Sequence, residues 1–314
     1  YNKQVSLLEK NLEYFQLTCE QRNCQFKANL RQAVVQTGRL SSTGIPVKFE
    51  GKKKTKSVQM QNLPRELKKL IWSGDDDWLI GEYDSAQVEF RVAVDMAQDP
   101  VGIEEVTTGV DIHSFTAKVL TDAGEPTTRQ DAKASTFRPL YGGASGSKAI
   151  MAYCEFFKEK YKSLSKMQRD WAMTCVDRKE FTTPYGMTFF FPDTKMHPKT
   201  QYINNTTSIY NFPVQGFATG EIIPIALVHF WHRTRDKNIK VFATIHDSIA
   251  VRVHKDSVEE AEAIAKQSLT LDVYKFLEKV YKYKMTVPLG LGAKVSRNWA
   301  FTKDERKWDI FPDG

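Results

Sequence analysis

The sequence is poor in cysteine and lacks any long apolar run. Its 314 residues include four cysteines, Cys19, Cys24, Cys154 and Cys175. They are too few and too scattered for a disulfide framework, and no second pair stands at zinc-finger spacing from the first, so reduced thiols are expected. No apolar segment approaches the roughly 18 residues of a membrane span, and no charged-then-apolar leader opens the chain. We therefore expect a soluble, cytosolic protein.

Acidic residues are outnumbered by basic ones. The 38 Asp and Glu residues stand against 45 Lys and Arg residues, which gives a net charge of +7. This surplus favours a polyanionic partner, although it is also compatible with proteins that bind no nucleic acid. The content of 41% hydrophobic and 26% charged residues is typical of globular proteins and excludes a disordered chain. The length predicts one large folding unit or two to three smaller ones.

The first 36 residues have apolar side chains three and four positions apart, which predicts a helix. Because the sequence opens with Tyr1 inside this pattern, we interpret it as a fragment with additional N-terminal domains in the parent polypeptide. The lysine-rich stretch Lys48, Lys52, Lys53, Lys54 and Lys56 is compatible with a solvated loop or with direct phosphate contact. Gly74 to Asp77 is interpreted as a turn rather than a cation site, since three consecutive aspartates cannot converge on one ion.

Further along, turn signals separate helical and strand patterns. Residues 112–177 are typical of helices, and Thr182 to Gly186 predicts a hairpin. Another helix is expected from Val214 to Arg233. The spacing Asp256-x-x-Glu259 is typical of a capping box and predicts the start of a long helix that ends near residue 281.

The segment Asp84-Ser85-Ala86-Gln87-Val88-Glu89 follows the apolar strand pattern of residues 78–83. An aspartate at a strand end can present its carboxylate to a cleft. An isolated aspartate there is more often a simple turn residue.

A second pattern is Arg129-x3-Lys133-x3-Phe137-x3-Tyr141-Gly142. Residues four apart on one α-helix lie above one another, so the pattern predicts a stripe that runs from two cations to two aromatic rings. A nucleoside triphosphate has the same polarity, with phosphates at one end and a flat base at the other. An ordinary amphipathic helix would also produce this stripe.

The third pattern is His246-Asp247-Ser248, at the predicted tip of a hairpin between strands 241–245 and 249–253. An aspartate at a hairpin tip is usually a turn former. Together with Asp84, however, Asp247 supplies the two carboxylates that a pair of Mg²⁺ ions requires for displacement at phosphorus.

These three patterns resemble motifs A, B and C of family A DNA polymerases, the bacterial polymerase I and phage replicative type. The resemblance covers residues 25–300 and includes further blocks in the family's order. These are Thr37-Gly38-Arg39-Leu40-Ser41-Ser42, Gln61-Asn62-Leu63-Pro64, Asp111-Ile112-His113-x-x-Thr116-Ala117, Asn211-x-Pro213-x-Gln215-Gly216, and a closing strand at Val287-Pro288-Leu289 followed by Asn298-Trp299.

The resemblance implies two Mg²⁺ ions, for which Mn²⁺ can substitute. Asp84 and Asp247 are the expected metal-binding carboxylates, and the backbone carbonyl of Ser85 is a further ligand. Lys133 completes the expected catalytic set as general acid to the leaving group. The expected nucleotide-binding residues are Arg129, Lys133, Phe137, Tyr141, His113, Gln87 and Glu89.

The partners implied are primer-template DNA and dNTPs, with no membrane and no identified processivity factor. The expected DNA-binding residues are Arg39, Gln61, Asn62, Gly142, Asn211, Gln215 and His246. The implied fold class is α+β, a right-hand polymerase fold with an antiparallel β-sheet palm and helical fingers, the thumb being largely missing. The predicted domains are a thumb remnant (1–36), fingers (96–207) and a palm in two parts (37–95 and 208–314). No exonuclease domain is expected in the chain.

Departures from the family pattern lie close to the expected site. Ser85 replaces an aromatic residue, Ala86 replaces a serine, and Ser248 replaces an acidic residue of motif C. Pro139 stands inside motif B, where proline removes a helical hydrogen bond at a cost of about 3 kcal/mol. We therefore predict that the helix bends or ends early, between Phe137 and Tyr141.

Two other functions fit parts of the sequence. A single-subunit RNA polymerase or primase-like enzyme often has His-Asp-Ser in motif C, but Glu89, Phe137 and the Arg39 block follow the DNA polymerase pattern. An inactive nucleic-acid-binding module is compatible with Ser248 and with a missing thumb.

The position of Glu89 matches the family's steric gate against the ribose 2'-hydroxyl. We therefore expect Glu89→Ala to incorporate ribonucleotides that the unmodified chain rejects. Primer extension with matched rNTPs and dNTPs measures this selectivity. If both proteins select the sugar equally well, another residue performs the exclusion.

Overall fold

The computed structural model describes residues 2–25, 28–32, 34–48, 59–143, 145–301 and 306–312. Its α-helices are α1 (Asn2–Arg22), α2 (Arg65–Lys68), α3 (Val88–Ala97), α4 (Pro100–Thr108), α5 (Ile112–Asp122), α6 (Arg129–Thr136), α7 (Lys148–Lys160), α8 (Lys162–Arg178), α9 (Thr206–Gln215), α10 (Ile223–Thr234), α11 (Val258–Lys266) and α12 (Asp272–Phe276). Its strands are β1 (Ala28–Arg31), β2 (Ser41–Gly44), β3 (Trp78–Ala86), β4 (Glu180–Thr182), β5 (Thr188–Phe190), β6 (Ile239–Ile245), β7 (Ser248–His254), β8 (Leu289–Ser296) and β9 (Arg306–Ile310). Among these ranges, no helix combines the length and apolar character that a membrane crossing requires.

The chain divides into two compact units. The first comprises residues 1–86, 223–269 and 291–308, and the second comprises residues 87–222, 270–290 and 309–314. The palm and fingers boundaries given above stay a prediction.

The first unit is organised by a β-sheet whose described strands follow the order β6-β7-β3-β8-β9. β3 pairs antiparallel with β7, from Trp78 opposite His254 to Asp84 opposite Ser248. β6 and β7 form a hairpin with Ile245 opposite Ser248. The predicted hairpin and the predicted strand after Asp77 are therefore confirmed, and β3 continues to Ala86.

Alternation along β3 separates two faces of the sheet. Tyr83 is fully buried and packs against Phe230 of α10, with ring centroids 5.7 Å apart. Glu82 and Asp84 lie on the opposite, half-exposed face. There the indole Nε1 of Trp299 donates a hydrogen bond to Glu82 Oε2 over 2.8 Å. Asp84 thus lies on the face that buries less of its side chains.

The N-terminal helix is shorter than the predicted helix of 36 residues, because α1 ends at Arg22. Asn23 and Cys24 have positive φ angles, 48° and 57°, which turn the chain back on itself. The sulfur of Cys24 is thereby bonded to that of Cys19, so the expectation of four reduced thiols is wrong for this pair. Cys154 and Cys175 are free and buried. Lys52, Lys53, Lys54 and Lys56 lie outside the described residues.

Two other helix predictions need correction. The helix expected from Val214 begins earlier, since helical residues run from Thr206 through a π-helical segment (Gly216–Ile222) to Thr234. The capping box at Asp256 does not form. Instead, His254 Nδ1 accepts a hydrogen bond from the amide of Asp256, and α11 begins after Ser257 without a side-chain cap.

The second unit is mainly helical, as residues 112–177 predict, and contains the predicted hairpin β4–β5. A buried carboxylate connects two of its helices. Asp99, 1% exposed, caps α4 by accepting from Gly102 N over 3.0 Å. Its other oxygen accepts from the amides of Ser163 and Leu164, at 2.9 and 3.1 Å, at the start of α8. One side chain therefore satisfies amide groups at the N-termini of both α4 and α8.

This double cap predicts a large loss of stability in Asp99→Ala, because three amides lose their acceptor. We expect the free energy of unfolding to fall by about 3 kcal/mol, against about 1 kcal/mol for Thr128→Ala, which removes the exposed cap of α6. Urea unfolding followed by circular dichroism measures both values. Equal losses would contradict the proposed bridging role of Asp99.

Candidate active site

The two predicted metal-binding aspartates are brought together in the first unit. Asp84 of β3 lies opposite Ser248 of β7. Ser248 directly follows Asp247 in the sequence. Beyond that pair, the amide of Ser85 donates a hydrogen bond to the carbonyl oxygen of Asp247 over 2.9 Å. Two carboxylate residues far apart in the sequence thus become neighbours through backbone pairing alone.

The hairpin turn itself explains the position of Asp247. His246 and Asp247 form the turn between β6 and β7, and His246 has a φ of 55°, in the left-handed region. The hydroxyl of buried Ser248 donates to the carbonyl of Ile245 over 3.0 Å and closes the turn. In this chain, the third residue of motif C therefore contributes a structural hydrogen bond rather than a third carboxylate.

The pKa values of both turn residues are shifted, that of Asp247 opposite to the direction that a cation site would favour and that of His246 toward the neutral form. Burial raises the pKa of Asp247, an effect that His246 and Arg39 oppose and Glu82 reinforces. The pKa of His246 is lowered, first by burial and then by the cations Arg39 and Lys68, while Asp247 opposes the change. The imidazole is consequently neutral at neutral pH, where it can donate or accept a hydrogen bond but adds no charge.

The other first-unit residues predicted to bind DNA differ in their surroundings. Arg39 is half-buried and lies close enough to His246 and Asp247 to affect the pKa of each. The amide of Gln61 donates to the carbonyls of Leu40 and Thr244, at 3.3 and 3.1 Å. Gln61 thus connects its own short helical turn to β6. Asn62 is exposed.

The oxygen donors of Asp84 and Asp247 are of the kind that Mg²⁺ prefers. Among the described residues, no three His, Cys, Asp or Glu side chains converge to hold a metal by themselves. Mg²⁺ is typically bound by one or two carboxylates together with substrate phosphates, rather than by a cage made only of protein. Two adjacent carboxylate residues provide oxygen donors of this kind.

In the second unit, helix α6 presents two predicted phosphate-binding cations, Arg129 and Lys133, one turn apart on its exposed surface. The guanidinium Nε of Arg129 lies 2.6 Å from Asp111 Oδ2. This contact holds the pKa of Asp111 well below its usual range, with hydrogen bonds from Ser114 adding to the effect. Asp111 also caps α5 through the amide of Ser114.

The predicted stripe of four side chains does not lie on one continuous helix. α6 ends at Thr136, Phe137 is its C-terminal cap, and Pro139–Tyr141 forms a separate 3₁₀ turn. The predicted early end of the helix is confirmed, but it lies at Thr136, just before the predicted interval from Phe137 to Tyr141. The prediction that Phe137 and Tyr141 continue the stripe on the same helix is wrong, because only Arg129 and Lys133 lie on α6 itself.

Phe137 and His113 are in contact, with ring centroids 5.6 Å apart in an edge-on arrangement. His113 Nδ1 lies 3.0 Å from the hydroxyl of Thr136, the last residue of α6. Thr136 is fully buried and also receives a hydrogen bond from Tyr153 at its carbonyl, over 2.8 Å. This buried polar group fixes the end of α6 against α5 and α7.

The remaining predicted residues lie in or next to helices α3 and α9. Gln87 has a left-handed conformation, φ 54°, and precedes α3, while Glu89 lies in the first turn of that helix and is half-exposed. Asn211 lies on α9, where its buried Oδ1 has no hydrogen-bond partner among the described residues. Gln215 is the last residue of α9.

A cavity with a volume of about 740 Å³ lies beside Gly142. Apart from Gly142, the residues that line it were not predicted from the sequence. It is lined by Pro139, Gly142, Gly143, Cys154, Lys158, Glu159, Lys162, Ser165, Gln168, Arg169, Tyr202, Thr206 and Tyr210. Three cations and two tyrosines therefore surround one predicted DNA-binding residue. No sequence pattern marked this lining, since Lys158 lies on α7 and Lys162 begins α8, and the loop residue Tyr202 shows no periodicity that would reveal its place.

Gly142 is favoured at its position by a left-handed backbone conformation and by the close approach of neighbouring atoms, and substitution can separate these two effects. Its φ is 72°, and a Cβ atom there would approach Tyr210 Cδ2 to 3.1 Å and Thr207 Cα to 3.4 Å. We expect Gly142→Ala to lower the free energy of unfolding by about 2 to 3 kcal/mol, from backbone strain and crowding together. Gly124→Ala is the matched control, since Gly124 has a φ of 90° and open space around it. Its loss should be only about 1 kcal/mol, and equal losses by urea unfolding would show that Tyr210 does not restrict the site.

Comparison with known proteins shows relatives of the chain among bacterial DNA polymerases. The chain is 24% identical to the thermostable DNA polymerase I of Thermus aquaticus over an alignment of 330 positions. This alignment covers 95% of the chain and 37% of the relative. It is 27% identical to DNA polymerase I of Bacillus subtilis over 268 residues, 77% of the chain and 29% of that relative. The chain thus spans about a third of the length of these curated relatives.

A solved structure has the same fold. It is the POL domain of Pol1 from M. smegmatis in complex with DNA primer-template and dNTP, with a TM-score of 0.67 and 19% identity over 87% of this chain and 48% of that one. The described chain is accordingly a mixed helix and sheet structure with the right-hand polymerase fold. The family model for DNA polymerase family A matches residues 1–301, more than half of the sequence. The chain belongs to DNA polymerase family A.

Proposed function

We propose that the chain performs template-directed DNA synthesis, adding dNTPs to a primer 3'-hydroxyl with release of pyrophosphate. The observation that supports this most is the proximity of Asp84 and Asp247, which follows from the pairing of Asp84 with Ser248 and the hydrogen bond from Ser85 to Asp247. Nucleotidyl transfer needs carboxylates at one place to bind divalent cations, and little covalent chemistry from the protein. The neighbouring carboxylates of Asp84 and Asp247 meet this requirement.

We assign Asp84, Asp247 and the carbonyl of Ser85 as ligands of two Mg²⁺ ions. When bound, such ions lower the pKa of an attacking hydroxyl and neutralise charge on the phosphates. Desolvation raises the pKa of the partly buried Asp247, and a cation nearby favours the ionised form. Both carboxylates act as oxygen donors and undergo no covalent change.

The cations of α6 act on the triphosphate. Arg129 and His113 bind its outer oxygens, and Lys133 contacts the phosphates near the reacting centre. As the 3'-hydroxyl loses its proton to solvent and its oxygen bonds to the α-phosphorus, the bond from that phosphorus to the bridging oxygen breaks and pyrophosphate leaves. Lys133, which is exposed on α6, donates a proton to that leaving group. Exchange of the Arg129–Asp111 contact for a phosphate contact accompanies nucleotide binding.

The cavity beside Gly142 supports a single-stranded nucleic acid as the partner of the second unit. Lys158, Lys162 and Arg169 match the charge of a phosphate backbone, and Tyr202 and Tyr210 provide surfaces for base stacking. Positive charge combined with aromatic rings favours binding without sequence preference. The net charge of +7 agrees with a polyanionic partner.

Primer extension by Asp84→Asn and Asp247→Asn tests the proposal. We expect each variant to lose about a thousandfold in extension rate, because a metal ligand contributes several kcal/mol to catalysis. Asp76→Asn is the matched control, an exposed aspartate in the turn before β3 with 88% side-chain exposure, and it should keep its rate. Fluorescence anisotropy with a labelled primer-template should give similar DNA affinity for all of them.

Other outcomes identify the alternatives. Activity retained in both aspartate variants would refute the assigned ligands. Preference for rNTPs over dNTPs in the unmodified protein would indicate a single-subunit RNA polymerase. DNA binding without extension in the unmodified protein, with Mg²⁺ or Mn²⁺ present, would indicate an inactive binding module.

A further inference from the structure

The ring of Phe137 is held in place by a contact from another helix. Phe137 follows the last residue of α6 and has non-helical angles, φ −100° and ψ 11°. Since Pro139 begins a separate 3₁₀ turn two residues later, regular helical hydrogen bonding does not fix the ring. Instead, the ring is stacked on that of Phe90 in α3, with centroids 5.0 Å apart and planes inclined by 29°.

Phe90 is itself rigidly supported. It is 1% exposed, and its ring contacts Tyr161 edge-on with centroids 5.4 Å apart. The Tyr161 hydroxyl donates to Glu105 Oε2 over 2.6 Å, and the other oxygen of Glu105 lies 2.6 Å from Lys160 Nζ. Both charged side chains of this pair are largely buried, at 12% and 15% exposure. The stack on Phe137 is therefore backed by groups that are fixed on three helices.

We propose that Phe90 is a positioning residue for nucleotide selection, acting through the orientation of Phe137. The proposal rests on the proposed function and takes Phe137, a nucleotide-binding residue implied by the family resemblance, to lie beside the sugar and base of the incoming nucleotide. It goes further by naming which residue sets the plane of that ring. His113 contacts the ring only edge-on, so Phe90 is the partner that determines the plane.

The place of Phe90 in α3 adds a second argument. Adjacent residues on an α-helix point about 100° apart. Phe90 is therefore buried while its neighbour Glu89 is half-exposed. The first turn of α3 thus contains Glu89, the proposed gate against the 2'-hydroxyl. It also contains Phe90, which supports the ring of Phe137 beside the same sugar.

The first test measures ring position without any enzymatic activity. A 4-fluorophenylalanine is introduced at position 137, and its fluorine resonance is recorded in the free protein. Phe90→Leu removes the stacking plane with little loss of apolar volume, and we expect it to shift or broaden the resonance. Phe217→Leu is the matched control, because Phe217 is equally buried and stacked on Tyr185, with centroids 4.2 Å apart, and should leave the resonance unchanged.

The second test measures selection of the sugar. We expect Phe90→Leu to raise KM for dNTPs more than it lowers kcat, and to lower discrimination against dideoxynucleotides about threefold to tenfold. In a Phe137→Leu background the effect of Phe90→Leu on discrimination should vanish, since the two residues act through one contact. Phe217→Leu should reduce thermal stability to a similar extent and leave discrimination unchanged.

Each outcome decides a different point. An unchanged fluorine resonance in Phe90→Leu overturns the positioning role whether or not the protein extends primers. Equal effects of Phe90→Leu in both backgrounds, or an equal change in Phe217→Leu, overturn it as well and indicate general destabilisation. Absence of extension by the unmodified protein, with the expected change in the resonance, refutes the proposed function while the positioning contact stands.

Discussion

The antiparallel register between β3 and β7 is the constraint on which the candidate site depends. Asp84 pairs with Ser248, and the next amide along β3, that of Ser85, donates to the carbonyl of Asp247. Because side chains alternate along a strand, a slip of one residue would turn Asp84 to the face where Tyr83 and Ser85 are buried. The fully buried Tyr83 resists that slip, since its ring fits against Phe230 on the other face. Apolar packing on one side of the sheet thus sets the position of a carboxylate on the other.

The second unit positions its functional groups by a different principle. There, the cations of α6 lie on an exposed helical surface, and the aromatic side chain after it is oriented by contacts with α3 and α5. Buried polar groups, above all Thr136 and Asp99, fix the ends of the helices. Such groups tolerate few alternative arrangements, because a buried amide or hydroxyl that loses its partner is costly. Helix ends in this unit are therefore determined by tertiary hydrogen bonds as much as by local sequence.

Sequence alone predicted the features that depend on strong periodicity or turn residues. The strand before Asp84, the hairpin at His246 and the helical block of residues 112–177 were predicted, and Pro139 indicated that the helix ends before Tyr141. Local patterns failed where tertiary contacts decide. Asn23 is only a weak signal for the end of α1, since asparagine tolerates the left-handed region but neither glycine nor proline stands there, and the disulfide depends on two left-handed residues. The contact between Ser85 and Asp247 depends on strand pairing across about half of the chain. The ring of Phe90 gave no signal beyond that of an ordinary core residue.

The break after α6 separates the two ends of the predicted nucleotide-binding segment. In one uninterrupted helix, gaining or losing a residue rotates every later side chain by about 100°. Here Arg129 and Lys133 belong to α6, whereas Tyr141 belongs to the turn that Pro139 begins. A change in the length of α6 would consequently alter the direction of the cations without altering the helical phase of Tyr141. Segments of this kind can diverge in sequence at one end while the other end keeps its geometry.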